Sequence, residues 1–226
     1  MTKVFIGVGH GGSDSGAVGK NGHLEKSLNL SIAKACGAAL TRSGVNVQLS
    51  RTTDENDPVA QEVAECNSFA PDLAVDIHNN AGGGDGAEVY YSRVGGTGKV
   101  LAENILAHIT KLGQKSRGAK TRLNISGSDY YAFIRDTKAH AVIVECAFVD
   151  SSDIELIDTE AERIAVGEAI AQGILQTLGI AYKPQNSPTA ARKLYRVQVG
   201  AYSDKANAEA QVQRLKRAGF DAIITT

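Results

Sequence analysis

The 226-residue chain contains three cysteines and four prolines, and no apolar run approaches the roughly 18 residues that a membrane span requires. A helix crossing a membrane is excluded. Cys36, Cys66 and Cys146 are odd in number and far apart, so no disulfide framework is expected, and a reducing compartment is the natural reading. Each is expected to serve as a small buried apolar residue. Met1-Thr2-Lys3-Val4-Phe5-Ile6-Gly7 enters a strand-like pattern with no apolar leader or small-residue cleavage site, so no secretion signal is expected. A basic field is also missing: residues 1–180 carry 16 Lys and Arg against 22 Asp and Glu. Nucleic acid is therefore not an expected partner, since phosphate recognition needs a net positive face.

What is present is an ordinary globular composition, 42% hydrophobic and 22% charged. Two of the four prolines, Pro184 and Pro188, fall in a stretch without periodicity at residues 181–191, which reads as a linker. Beyond it the charge changes sign, with 7 Lys and Arg against 3 Asp and Glu over residues 192–226. The expected division is a main domain at 1–180, a linker at 181–191 and a small unit at 192–226. In the main domain, β-branched runs at 4–8, 45–49, 73–77, 87–91 and 141–148 alternate with helical periodicity at 27–42, 59–69, 98–112 and 160–178. Strands that are apolar on both faces are buried on both faces. The predicted class is therefore α/β, a twisted, mainly parallel sheet flanked by helices. Residues 192–226 read as one small βαβ unit, with strands at 194–202 and 221–225 around a helix at 206–218.

Open α/β sheets place their ligands at the carboxyl ends of strands, and three polar residues stand there against the apolar pattern. His10 follows the first strand within Gly7-Val8-Gly9-His10-Gly11-Gly12, His78 ends Leu73-Ala74-Val75-Asp76-Ile77-His78, and Glu145 interrupts Val142-Ile143-Val144-Glu145-Cys146. An ionised group in an apolar strand is costly unless it is paired or used. Alternation puts Asp76, His78 and Asn80 on one face and turns Cys146 away from Glu145. Two imidazoles and a carboxylate make a catalytic zinc set that leaves room for water. Glu25 is the candidate third ligand; the other reading is a helix-start carboxylate favoured by the dipole. His23 stands near enough to be a rival ligand.

The four ordered motifs Gly9-His10-Gly11-Gly12-Ser13-Asp14-Ser15-Gly16-Ala17, Glu25-Lys26-Ser27-Leu28-Asn29-Leu30, Ile77-His78-Asn79-Asn80-Ala81 and Val144-Glu145-Cys146-Ala147-Phe148 resemble those of the zinc-dependent N-acetylmuramoyl-L-alanine amidases. Within that family the chain is similar to the phage endolysins and the lytic amidases of the spore mother cell. The resemblance covers roughly residues 1–180. It implies that His10, Glu25 and His78 hold zinc and that Glu145 is the catalytic carboxylate. It also implies that the scissile bond joins N-acetylmuramic acid to L-alanine in peptidoglycan, with a nearby donor such as Asn80 on the oxyanion. The chain departs from the family pattern at Val8, where proline is common, at Asp76, where serine is common, and at Cys146-Ala147, where threonine and glycine are usual. Asp76 would either orient the His78 ring or crowd the metal.

The run Gln114 to Arg122 is either a solvated basic loop or a recognition element for stem-peptide carboxylates, and Arg51 is expected to be structural. The segment Tyr195-Arg196-Val197-Gln198-Val199-Gly200-Ala201-Tyr202-Ser203 resembles the sporulation-related (SPOR) wall-binding repeat, which implies binding to glycan strands. About 35 residues seldom bury enough apolar area to fold alone, so a homodimer completing one domain from two repeats is expected. By resemblance the protein is made in the bacterial cytoplasm and reaches the wall after holin-mediated release or cell lysis. Two competing readings are a wall-binding protein without turnover, disfavoured by the intact residue set, and a zinc exopeptidase, for which no second full ligand set is found.

Overall fold

Each β-branched run becomes a strand: β1 (Lys3–Val8), β2 (Asn46–Leu49), β3 (Leu73–Asn80), β4 (Ala87–Tyr91) and β6 (His140–Phe148). A further strand, β5 (Ser116–Lys120), lies inside the run expected to be a loop. Its residues have little β-propensity, and it pairs only with β4 at the sheet edge, where charged side chains are the usual protection against aggregation. The chain is seen here in a computed structural model that describes residues 1–20, 22–185, 199–220, 222 and 224.

The six strands form one sheet in the order β2-β1-β3-β6-β4-β5. The first four are mutually parallel. Strand β4 runs antiparallel to β6, and β5 runs parallel to β4. The mainly parallel sheet therefore ends in a reversed pair.

Alternation along the strands separates two faces. Val4, Ile6 and Val8 of β1, Val75 and Ile77 of β3, and Val142 and Val144 of β6 point to one side. There they meet α1 (Glu25–Arg42), α3 (Thr97–Ile109) and α5 (Glu160–Leu178) in the main core. Helix α5 starts in a reciprocal capping box, Thr159 Oγ1 accepting from Glu162 N while Glu162 Oε2 accepts from Thr159 N. It stops at Gly179, whose φ of 68° is the left-handed turn that glycine tolerates. The opposite face carries Phe5, Ala74, Ala141 and Ile143 under two short helices, α2 (Val59–Phe69) and α4 (Ala132–Asp136). The five-residue α4 is anchored by Phe133, which is buried with its ring 6.5 Å from that of Phe5. That burial contributes about 2 kcal/mol. The two short helices cover only the lower part of this face, and the upper part is polar.

The chain divides into two compact units, Met1–Gln185 and Asn186–Thr226. Residues expected at the start of the linker are tied to the first unit: Tyr182 donates from its hydroxyl to Glu168 Oε2 at 2.6 Å, and Lys183 N donates to Ser43 Oγ at 3.1 Å. In the second unit the expected helix is α6 (Lys205–Arg217), capped by Asp204 Oδ1, which accepts from Ala206 N at 2.7 Å. The strands expected at 194–202 and 221–225 lie for the most part outside the described residues, and Val199 to Tyr202 are not in a strand.

Candidate metal centre

Strand β1 delivers the chain to Gly9, whose N–H donates to Ile77 O at 3.1 Å. Only glycine fits here, because a Cβ would lie 2.2 Å from the His78 ring. His10 follows with φ 63°, a left-handed conformation that costs a non-glycine residue of order 1 kcal/mol and is characteristic of functional sites. The turn aims its ring at His78, 5.0 Å away between centroids and nearly perpendicular.

Both rings converge on Glu25, the first residue of α1. His10 Nε2 lies 3.2 Å from Oε2, and His78 Nδ1 lies 3.1 Å from Oε1. The carboxylate is 4% exposed and accepts from Ala17 N at 2.8 Å, Asn79 N at 3.1 Å and Asn29 Nδ2 at 3.3 Å. Burial alone would raise its pKa, but the hydrogen bonds from His10 and His78 reverse this, so Glu25 stays ionised well below the usual carboxylate range. The helix-start reading of Glu25 is true of its position, but its side chain turns inward to the rings.

The outer ring nitrogens are held as well. His10 Nδ1 is 2.8 Å from Asp14 Oδ2, and His78 Nε2 is 3.1 Å from Asp76 Oδ2. Such carboxylate–imidazole pairs fix the ring tautomer and orientation of metal-binding histidines. The pKa of His10 is raised mainly by its hydrogen bond to Glu25. Burial opposes protonation of His78, but Asp76 and Glu25 outweigh it and hold the ring well above its ordinary value. Behind Asp76 stands Glu62 of α2: a Cβ on Gly7 would sit 2.1 Å from Glu62 Oε1 and 2.7 Å from Asp76 Oδ1. Burial and the neighbouring Asp76 push the Glu62 carboxyl well above the usual carboxylate range.

Ligand atoms of His10, Glu25 and His78 all lie within 4.8 Å of one another, the one such set among the described residues. Two imidazoles turned toward one carboxylate amid further acidic groups form a donor set suited to a divalent cation. The rival His23 points elsewhere, pairing with Asp158 Oδ1 at 2.6 Å.

Glu145 of β6 is in register with His78 on one side and Glu88 of β4 on the other. Its Oε2 is buried with no hydrogen-bond partner. Burial, partly offset by His78, pushes the carboxyl up to about 7, where a group exchanges protons readily at neutral pH. Asn80 donates to Glu88 Oε1 at 3.1 Å. Arg51 is structural: 2% exposed, it donates to the carbonyls of Val8, Gly9, Lys26 and Thr53 and so joins the end of β1 to the start of α1. Cys146 faces the main core, away from Glu145.

Sequence reasoning missed Glu88, which is buried beneath Arg117 and Lys120. The signal was available, since a carboxylate inside Ala87-Glu88-Val89-Tyr90-Tyr91 breaks the strand pattern just as Glu145 does. Glu62 and Asn29 carried no such signal, because a polar residue on a helix is ordinary.

Fold and site together define an α/β enzyme with a candidate single-metal centre at the strand ends of a half-covered face. Residues 4–176 match the family N-acetylmuramoyl-L-alanine amidase, and residues 169–226 match the SPOR domain. The sporulation-specific N-acetylmuramoyl-L-alanine amidase of Bacillus subtilis (strain 168) is 33% identical over 229 residues, 99% of this chain and 84% of that protein. The N-acetylmuramoyl-L-alanine amidase CwlM of Bacillus licheniformis is 35% identical over 231 residues, 99% of this chain and 85% of that protein. Among solved structures, the catalytic domain of CwlV from Bacillus (Paenibacillus) polymyxa var. colistinus superposes with a TM-score of 0.72 at 28% identity, covering 80% of this chain and all of that one. The chain belongs to the N-acetylmuramoyl-L-alanine amidase family, peptidoglycan hydrolases that cleave the amide bond between N-acetylmuramic acid and L-alanine.

Proposed function

We propose that His10, Glu25 and His78 hold zinc and that Glu145 moves the proton in hydrolysis of the N-acetylmuramoyl–L-alanine bond. The observation that carries this reading is the convergence of two imidazoles on Glu25, their outer nitrogens pinned by Asp14 and Asp76. When bound, zinc supplies Lewis acidity to the attacking water and to the scissile carbonyl. Glu145, one strand from His78, accepts the proton of the attacking water and passes it to the leaving amine of L-alanine. A carboxyl group held at about 7 serves both transfers. The Asp76 position supports the orienting role over the crowding one, because its carboxylate meets the His78 nitrogen that faces away from Glu25.

Digestion of purified cell walls tests the reaction through its product: a new free amino-terminal alanine is expected, and a new reducing sugar end in its place rejects the assignment. Elemental analysis tests the ligands. His10→Ala and His78→Ala should each lose zinc, and full occupancy in either refutes that ligand.

The second unit is assigned to the cell wall, where a SPOR-type surface would bind glycan strands. Helix α6 buries none of its residues, and Tyr202, Phe220 and Ile224 are exposed. A unit so poorly buried needs a partner surface, and a second copy of the chain meets that need through two-fold pairing of the repeats, giving a homodimer with two catalytic domains. Light scattering of the full chain at micromolar concentration should report a dimer, and a monomer rejects the pairing. No helix among the described residues is long and apolar enough to cross a membrane. Synthesis in the cytoplasm followed by release on lysis fits this reading, and fractionation of intact cells before lysis tests it.

A further inference from the structure

The row formed across the sheet by His78, Glu145 and Glu88 has a direction. It rests on the reading above, in which the scissile carbonyl stands at the His10, Glu25 and His78 set. The leaving nitrogen must then lie by Glu145, which protonates it. The acyl half of the substrate sits on the His78 side, and the peptide half continues past Glu145 toward β4 and β5.

On that side lies a built polar cluster. Glu88 is 3% exposed and in register with Glu145. It accepts from Arg117 Nε at 2.7 Å, Lys120 Nζ at 2.5 Å, Tyr90 OH at 2.9 Å and Asn80 Nδ2 at 3.1 Å. Burial would raise its pKa, but Lys120 and Arg117 more than reverse this, and it remains ionised. Two cations on one carboxylate leave a net positive charge. Arg117 and Lys120 are each about one-third exposed, so that charge is presented to solvent. Arg117 spends only Nε on Glu88, and among the described residues neither Nη has a protein acceptor. Its guanidinium also lies 5.0 Å from the Phe148 ring, which limits its freedom to swing away. A guanidinium edge and an ammonium side by side suit a carboxylate.

The stem peptide offers one on the peptide side of the scissile bond. Its second residue is D-glutamate linked through the γ-carboxyl, so the α-carboxyl is either free or amidated. Consecutive Cα atoms are about 3.8 Å apart, which places the second Cα about 5 Å and its carboxyl group about 6 Å from the L-alanine nitrogen in an extended peptide. Neighbouring strands are about 4.8 Å apart, so Glu88 stands one such step from Glu145, and its partners Arg117 and Lys120 come from the next strand, β5. We propose that Arg117 and Lys120, clamped by Glu88, form a subsite for the free α-carboxylate of the second stem residue and make the enzyme selective for non-amidated peptidoglycan.

The test uses the full-length chain and two synthetic N-acetylmuramoyl peptides that differ only in carrying the α-carboxylate or the α-carboxamide at that residue. Wild type should show kcat/KM at least about tenfold higher on the carboxylate, as befits a charge-assisted hydrogen bond. In R117Q, and separately in K120Q, the ratio should fall toward one because activity on the carboxylate substrate drops more. Circular dichroism and wild-type-like activity on the carboxamide substrate identify the variants that are folded, and an unchanged ratio in either folded variant overturns the subsite. Equal wild-type rates on the two substrates also overturn it. Failure of wild type to cleave either one instead overturns the amidase reading on which the subsite depends, and the subsite falls with it.

Discussion

Replacing Glu145 with glutamine separates chemistry from stability, because the same burial that raises its pKa to about 7 also makes its charge costly to the fold. Glutamine keeps the shape but takes up no proton, so wall hydrolysis should fall by about 10²- to 10⁴-fold. In protein stripped of metal by a chelator, the variant should be the more stable one at alkaline pH. A carboxyl held at about 7 rather than 4.5 binds its proton about 300-fold more tightly in the folded chain, equivalent to about 3 kcal/mol. Partial opening of the side chain to solvent reduces this to about 2 kcal/mol. The folded state holds the extra proton between about pH 4.5 and 7, so wild type loses stability as pH rises through that window, while E145Q does not. Denaturant melts of both proteins at about pH 4 and pH 8 measure the difference directly. The stability gain of E145Q should be about 2 kcal/mol greater at the higher pH. Equal differences at the two values, or hydrolysis within tenfold of wild type, would refute the reasoning.

Asp76→Asn should weaken zinc affinity about 10- to 100-fold by loosening the His78 ring, measured by competition with a chromogenic chelator, and unchanged affinity removes Asp76 from the site. Zinc binding near neutral pH should release protons and tighten as pH rises, because both imidazoles are held above their ordinary value and must be neutral to bind metal; a pH-independent affinity in calorimetry contradicts this. Arg51→Met should destabilise the first unit by about 3 kcal/mol, since carbonyls of Val8, Gly9 and Lys26 lose their donor, and a change of melting temperature below about 2 °C would show that water replaces it. A chain cut after residue 180 should be less stable than one cut after 185, because it loses the Tyr182 and Lys183 contacts to Glu168 and Ser43; identical melting curves would return the boundary to 180.

Much of this protein is legible in one dimension. Short β-branched apolar runs, set between helical periods, mark five strands and four helices, because a strand buried on both faces must be apolar on both. His10, His78 and Glu145 stand out as polar residues at the ends of buried strands, and their cost in an apolar setting is a property of sequence context alone. Strand β5 was hidden because Ser116 to Lys120 form a strand only by pairing with β4, a contact between segments some 30 residues apart. The choice of Glu25 over His23 was also tertiary: the two are neighbours in sequence, and only the fold of the Gly-rich loop sends one to the rings and the other to Asp158. Asp14, Asp76 and Glu62 around the rings, and the Arg117 and Lys120 clamp on Glu88, come from four elements and the loop after β1. Local physics determines which residues must be buried. Which buried charges meet depends on strand order and register, set by packing of the whole sheet.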